Sequence, residues 1–270
     1  MILGSVTGID SDPRLLEGPR LCAVRARMVG QDDDVPVRPL RDLVEVERPA
    51  LPALLAMTSA AGDRASVLPV EESQGEDVLW RLQVTVASAL GALARHTGGV
   101  LIDHSWLRLL GGGGGGLPSV ADANHLGTPT TESEPPAHLE VGRDVLGGRF
   151  AINGGAFQGD LGDTFYFAPD TLAWESMGLG HGDFVAWALS DRVSDFYSDL
   201  RWDGWEADAA AVPLDHGLAV YPPLFSTQSH IGTPGRSRVP WEELVAFNED
   251  MAVRLSALPE GAEFQIRPTD

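Results

Sequence analysis

The feature that most constrains the fold is a series of four short segments between residues 138 and 176 that carry strand-like patterns separated by turn-forming residues. The segments are His138–Val141, Arg149–Asn153, Thr164–Phe167 and Thr171–Ser176. Gly154–Gly155 and Pro169–Asp170 supply turns between them. The sequence therefore predicts an antiparallel meander of strands in this part of the chain.

Helical patterns lie on both sides of the meander in the chain. Residues 37–47, 50–61 and 76–82 precede it, and residues 183–190, 193–200, 205–211 and 240–255 follow it. Two further strands are expected in Gly99–Leu110, meeting at His104–Ser105, and another in Ser66–Val70. We expect an α+β fold with a mostly antiparallel sheet flanked by helices, in one domain over residues 39–270.

Two segments are expected to lie outside the regular elements. Gly111–Gly116 is a run of six glycines followed by Leu-Pro-Ser, which does not match a phosphate-binding loop because no polar anchor follows it. With the Thr/Ser/Pro-rich stretch after it, it predicts a mobile loop over residues 111–136. Residues 1–38 are predicted to be an N-terminal extension, of which residues 1–27 are either disordered or lie ahead of a true start at Met28.

The charge composition excludes several function classes. All 19 basic residues are arginine, which removes Schiff-base chemistry and the lysine of nucleotide loops and kinases. The net charge of −20 disfavours nucleic acid and anionic membranes as partners and favours a basic protein. A single cysteine, Cys22, excludes an intrachain disulfide. No stretch has the length of a membrane span and no secretory signal is evident, so we expect a cytoplasmic protein.

The candidates for catalysis are few. The chain has no G-x-S-x-G elbow and no H-E-x-x-H pair, and Asp103, His104 and Ser105 are neighbours that cannot form a relay on one strand. Asp160, Asp163, His181 and Asp183 could meet to hold a divalent metal for a hydrolase. The alternative is that Asp160 and Asp163 belong to a turn and Asp183 caps a helix. We therefore expect no cofactor and no catalytic site.

The stretch from Phe196 to Phe225 mixes aromatic and acidic residues, a composition that occurs at protein interfaces. Its tryptophans, Trp202 and Trp205, could equally be core residues that pack helices on the sheet. Both interpretations stay open. The predicted contacts for a protein partner are Asp160, Asp163, Asp183, Trp202, Asp203, Trp205 and Tyr221.

Three stretches together resemble a bacterial family catalogued as domain of unknown function 2625. They are residues 82–113, residues 141–189 with the sequence GGRFAINGG, and residues 196–226 with the sequences RWDGWE and YPPL. The resemblance spans roughly Pro39 to Leu255, and it implies the family's fold without implying an activity.

A looser similarity, at the level of fold, is to the SUKH superfamily. The shared features are a meander built around the turn Asn153–Gly155 and a helix opening at Gly180–Phe184. Many SUKH proteins bind and neutralise bacterial toxins, often basic nucleases. This resemblance implies a non-catalytic binding domain of immunity type. The metal-assisted hydrolase and a self-associating housekeeping scaffold are the alternative hypotheses.

Overall fold

The computed structural model describes residues 36–226 and 235–259. The described residues belong to one compact unit that runs from Asp32 onward. Residues 1–35 of the extension predicted for residues 1–38 lie outside the described residues. Arg38, which was assigned to that extension, donates from its backbone amide to Gln83 Oε1 at 2.8 Å.

Within the described residues, four consecutive strands over residues 138–180 lie between two parts of the chain that mix helices and strands. The helices are α1 Leu40–Val44, α2 Leu51–Ala61, α3 Glu72–Leu82, α4 Ala89–His96, α5 Val120–Ala123, α6 His181–Ala188, α7 Arg192–Phe196, α8 Trp205–Ala210 and α9 Trp241–Ser256. The strands are β1 Ala65–Leu68, β2 Gly99–Ile102, β3 Leu107–Leu110, β4 His138–Asp144, β5 Arg149–Asn153, β6 Asp163–Ala168, β7 Ala173–Gly180, β8 His216–Val220 and β9 Arg236–Pro240.

Strands β1 to β7 form one sheet in which every strand pairs antiparallel with the next strand in the chain. The predicted α+β fold with an antiparallel meander is confirmed. Strands β8 and β9 form a separate two-stranded sheet that the sequence patterns did not predict.

One face of the large sheet packs on helix α6 through aromatic side chains. Phe150 on β5 and Phe184 on α6 are both fully buried, and their ring centres lie 4.8 Å apart. Trp187, one turn further along α6, is 7% exposed and stacks on Phe184 at 5.8 Å. The apolar face of this helix, with Phe184 and Trp187, is therefore the face that contacts the sheet.

The opposite face carries a row of three buried arginines. The pairing register places Arg108, Arg143 and Arg149 side by side on β3, β4 and β5. Their positive charges are met by several acceptors, which are the carbonyls of Pro213, Leu214 and His216 for Arg108, Glu140 for Arg143 and Glu249 on α9 for Arg149. Burial, and after it repulsion by the positive charge of Arg143, lowers the pKa of Arg108 to about 10. Through Arg108 and Arg149, this row connects the C-terminal part of the described chain to the sheet.

The glycine run is packed into the domain at its first three residues. Gly111, Gly112 and Gly113 are buried, and the amides of Gly112 and Gly113 donate to Thr97 O at 2.7 Å and Gly98 O at 3.0 Å. A Cβ on Gly112 would lie 2.7 Å from Val70 Cγ2 and 2.8 Å from Ala94 O, so no larger residue fits. The predicted mobility of residues 111–136 stays a prediction, but this segment starts in the core and contains helix α5.

Candidate functional site

The strand register divides the predicted site residues between the two ends of the large sheet. The turn after β2, the end of β4 and the start of β5 lie at one end. Asn153, Asp163 and Gly180 lie at the other end, where Asp163 is paired with Gly180. Asp160, Asp163 and Asp183 therefore belong to one end, whereas Trp202 and Trp205 contact Trp106 at the other. The seven residues predicted as one interface do not form a single surface.

The four residues proposed for a metal centre differ in their surroundings. Asp160 and Asp183 are exposed, Asp163 is half-buried, and His181 is 2% exposed at the start of α6. Burial lowers the pKa of His181 to about 4. Among residues 36–226 and 235–259, no three His, Cys, Asp or Glu side chains are grouped so that they could hold a metal ion. The structure does not bring this quartet together as a ligand set.

The Asn-Gly-Gly turn next to this quartet has a structural role. Asn153 is 1% exposed, and its Oδ1 accepts hydrogen bonds from the amides of Gly155 at 2.9 Å and Phe157 at 3.1 Å. Its Nδ2 donates back to the carbonyl of Phe157 at 3.1 Å. One buried amide thus fixes the loop between β5 and β6.

At the opposite end of the sheet, Trp202 is a core residue. Its side chain is 7% exposed, it packs 5.6 Å from the ring of Trp106, and its Nε1 donates to Asp208 Oδ2 at 2.8 Å. The core interpretation therefore applies to Trp202. Trp205 is half-buried, with its ring 5.3 Å from Trp106 and 5.8 Å from His104. Asp203 is exposed, and Tyr221 is 46% exposed just beyond β8.

The tryptophan segment is anchored by an ion pair to the turn between β2 and β3. Arg201 Nη2 donates to Asp103 Oδ2 at 2.5 Å, and Ser194 Oγ donates to the same oxygen at 3.2 Å. Asp103, His104 and Ser105 have φ of +48°, +58° and +67°, a left-handed conformation that costs non-glycine residues about 1 kcal/mol each. Burial of Trp106 directly after the turn, at 0% exposed, offsets this cost.

The outer surface of the same segment is acidic. Residues 191–206 carry five exposed carboxylates, on Asp191, Asp195, Asp199, Asp203 and Glu206. Arg192 is exposed as well, but Arg201 points its charge inward to Asp103. The ion pair thus removes one of the two cations of the segment from the surface. Of the five exposed carboxylates, Asp191 pairs with Arg64 at 3.1 Å. We call these five residues the acidic face.

A depression of about 230 Å³ lies beside the acidic face, between β7 and helices α6 and α7. Its lining residues are Tyr166, Glu175, Ser176, Met177, Leu179, Trp187, Arg192 and Phe196. Phe196 is 40% exposed and stands edge-on to Trp187, with ring centres 5.2 Å apart. Apolar walls and an exposed aromatic ring are features of surfaces that bind other molecules.

Comparison with known proteins identifies the family. The profile of the family described as "Protein of unknown function DUF2625" matches residues 40–244, which is more than half of the chain. The protein belongs to the DUF2625 family. The resemblance inferred from the sequence motifs is thereby confirmed.

Two curated relatives of this DUF2625 protein support the assignment. The "Putative uncharacterized protein YbfG" of Escherichia coli K12 is 36% identical over 194 residues, which cover 70% of this chain and 86% of the relative. An "Uncharacterized protein" of Haemophilus influenzae Rd is 34% identical over 170 residues, which cover 63% of this chain and 75% of the relative. No solved structure matches. The likeness to the SUKH superfamily stays a prediction.

The sequence patterns missed the main apolar contributors to the depression of this DUF2625 domain. Met177 and Leu179 lie on β7 beyond Ser176, where the predicted strand ended. Phe196 was noticed only as the start of an aromatic stretch. The alternation of apolar residues with glycine in Met177-Gly178-Leu179-Gly180 was the available signal. Of the helices in the described part of the chain, none is long and apolar enough to cross a lipid bilayer.

Proposed function

We propose that this DUF2625 protein is a non-catalytic, cytoplasmic protein-binding domain that recognises a basic protein through the acidic face. One observation carries the proposal. Five carboxylates of residues 191–206 are exposed, of which Asp191 pairs with Arg64, while the guanidinium of Arg201 is directed inward to Asp103.

The mechanism of such recognition is electrostatic steering followed by contact. Complementary charge accelerates the encounter of two proteins and suppresses partners of like charge. The net charge of −20 extends the same field over the whole chain. Phe196, 40% exposed between Asp195 and the depression, supplies apolar contact area next to the charges. The SUKH-like resemblance suggests a basic toxin as one class of partner.

The proposal is tested by capture on the immobilised full chain from a lysate of the native host at about 0.15 M salt, with partners identified by mass spectrometry. A variant with Asp195→Asn, Asp199→Asn and Asp203→Asn neutralises the acidic face. The matched control, Glu45→Gln, Glu47→Gln and Asp63→Asn, neutralises three exposed acids outside the acidic face and gives the same net charge.

We expect a stoichiometric basic protein on the unmodified chain and on the control, released as salt rises, and its loss from the acidic-face variant. Equal capture by both variants would show that net charge alone attracts the partner. Absence of any basic partner on the unmodified chain would refute the proposal.

A further inference from the structure

Strand β7 is at the edge of the large sheet. It comes last in the strand order, and in the described part of the chain it pairs only with β6. Ala173 to Ser176 form a regular ladder with β6, and the only charged side chain in this stretch is that of Glu175. The register shift comes later, opposite Thr164 and Phe165, where Gly178 has φ +63°. A regular edge with few charges can template an added strand.

The depression opens beside this edge, on the face of the sheet that also carries Tyr166. Met177 and Leu179 of β7 form one side of it, and Trp187 and Phe196 of the helices form the other. Its volume of about 230 Å³ is below the range of roughly 300–1,000 Å³ that is usual for pockets holding small molecules. A cavity of this size suits one large apolar side chain.

The charge of the surrounding surface indicates what kind of segment carries that side chain. Glu175 and Arg192 line the depression with opposite charges, and the exposed Asp195 precedes Phe196 on α7, so the surplus charge next to the depression is that of the acidic face. Three further acids of the acidic face, Asp199, Asp203 and Glu206, follow Phe196 in the chain. A basic segment is therefore attracted to the same place at which a strand can be added.

We propose that the partner presents an extended basic segment that adds as a strand to the free edge of β7 and places one aromatic or large aliphatic side chain in the depression. This deepens the proposed function and rests on it. In this mode of recognition, backbone hydrogen bonds supply affinity and the pocket for an alternate side chain supplies specificity. Basic residues two positions before and after the inserted side chain point to the same face of the sheet and are placed towards the acidic face.

The test uses a displayed library of short random peptides selected on the immobilised full chain. The strongest binder is then synthesised in three forms: unmodified, N-methylated at one set of alternate residues, and N-methylated at the other set. Affinities are measured by fluorescence anisotropy. N-methylation removes amide donors of the peptide alone, so its effect does not depend on how any protein variant folds.

We expect selected peptides in which basic residues lie two positions before or after the apolar residue, because every second side chain of a strand points to the same face. One N-methylated form loses binding and the other keeps it, because only every second amide of an added strand faces β7. Phe196→Ala should weaken binding at least about tenfold, which is 1.4 kcal/mol. Phe247→Ala is the matched control, since Phe247 on α9 is also 40% exposed and should leave binding unchanged.

Failure to select any peptide, equal binding of both N-methylated forms, or equal binding to the Phe196→Ala and Phe247→Ala variants would overturn the inference. Self-association of the chain that the peptide does not displace would also do so, because β7 would then pair with a second copy. If lysate capture still depends on the acidic face in such a case, the proposed function stands and only the strand-addition mode is wrong.

Discussion

Arg201 and Asp103 are 98 residues apart in the chain and form an ion pair of 2.5 Å in which their side chains are 10% and 3% exposed. The guanidinium of Arg201 also lies 3.8 Å from the ring centre of Trp205. The pair connects the tight turn after β2 to the segment that carries the acidic face. The surface chemistry of this segment therefore depends on a buried contact.

Replacement of one partner of the Arg201–Asp103 ion pair should lower the free energy of unfolding. Arg201→Met leaves the buried Asp103 with Ser194 as a hydrogen-bond donor and with the more distant Arg64, at 3.9 Å, as a cation, and we expect the free energy of unfolding to fall by about 2 kcal/mol. Adding Asp103→Asn should recover part of this loss, because no unpaired charge remains. Urea unfolding at neutral pH measures both. Arg41→Met, which breaks a pair that is 76% and 49% exposed, should change stability by less than about 0.5 kcal/mol. Similar losses in both single variants would contradict the buried pair.

Trp202 and Tyr221 should respond oppositely to truncation. Trp202→Ala removes a side chain that is 7% exposed, and we expect a loss of about 3–5 kcal/mol in unfolding free energy together with a lower soluble yield. Tyr221→Ala, at a side chain that is 46% exposed, should stay within about 0.5 kcal/mol of the unmodified chain. Normal stability of the Trp202→Ala variant would return Trp202 to the list of interface residues.

Replacement of Asp144, a buried acid of the core, should lower the stability of the protein strongly. It is fully buried, and it accepts hydrogen bonds from the amides of Leu146 and Gly148 and from the hydroxyls of Tyr166 and Tyr197. Burial raises the pKa of the Asp144 carboxyl, and these hydrogen bonds act in the opposite direction. Asp144→Ala leaves four buried donors without a partner and should cost at least about 3 kcal/mol, whereas Tyr197→Phe should cost about 1 kcal/mol. Thermal and urea unfolding distinguish the two, and equal costs would contradict the arrangement.

His181 should make stability depend on pH. Burial lowers its pKa in the folded protein to about 4 from an ordinary value of 6.5, so below pH 6.5 the unfolded chain binds a proton that the folded chain does not. Its contribution is complete above pH 6.5 and is lost as the pH falls towards 4, by about 3 kcal/mol in total. Unfolding free energies between pH 7 and pH 4 should fall less steeply for His181→Gln than for the unmodified chain. His125→Gln, at an exposed histidine, should follow the unmodified chain.

Two glycines should show opposite tolerance to a methyl group. Gly112→Ala places a Cβ 2.7 Å from Val70 and 2.8 Å from the carbonyl of Ala94, and we expect a loss of about 1–3 kcal/mol. Gly127→Ala meets no atom within 4 Å and should change stability by less than about 0.5 kcal/mol. Urea unfolding measures both substitutions. A neutral Gly112→Ala would show that the start of the glycine run is free to move.

Local patterns were sufficient for most of the large sheet. The alternation of side chains and the turn residues placed β2 and β3 in the correct stretch, with the turn at His104–Ser105. Strand β9 was not predicted because its sequence, RSRVP, has no apolar alternation and its partner β8 is remote in the chain. The partner of Arg201 was not predictable either, since no short-range pattern relates residues 98 positions apart. The glycine run has no side chains, so the periodicity of apolar residues could not distinguish a tightly packed segment from a mobile one.

That glycine run has a consequence for how relatives are compared. In a tract of identical residues, an alignment cannot say which residue a shorter relative lacks. The geometry can, because Gly111, Gly112 and Gly113 are held against Thr97 and Gly98, whereas an added Cβ on Gly115 or Gly116 would find its nearest neighbours at 3.6 and 3.9 Å. Insertions and deletions in this tract are therefore absorbed at Gly115 and Gly116, and alignment gaps belong there.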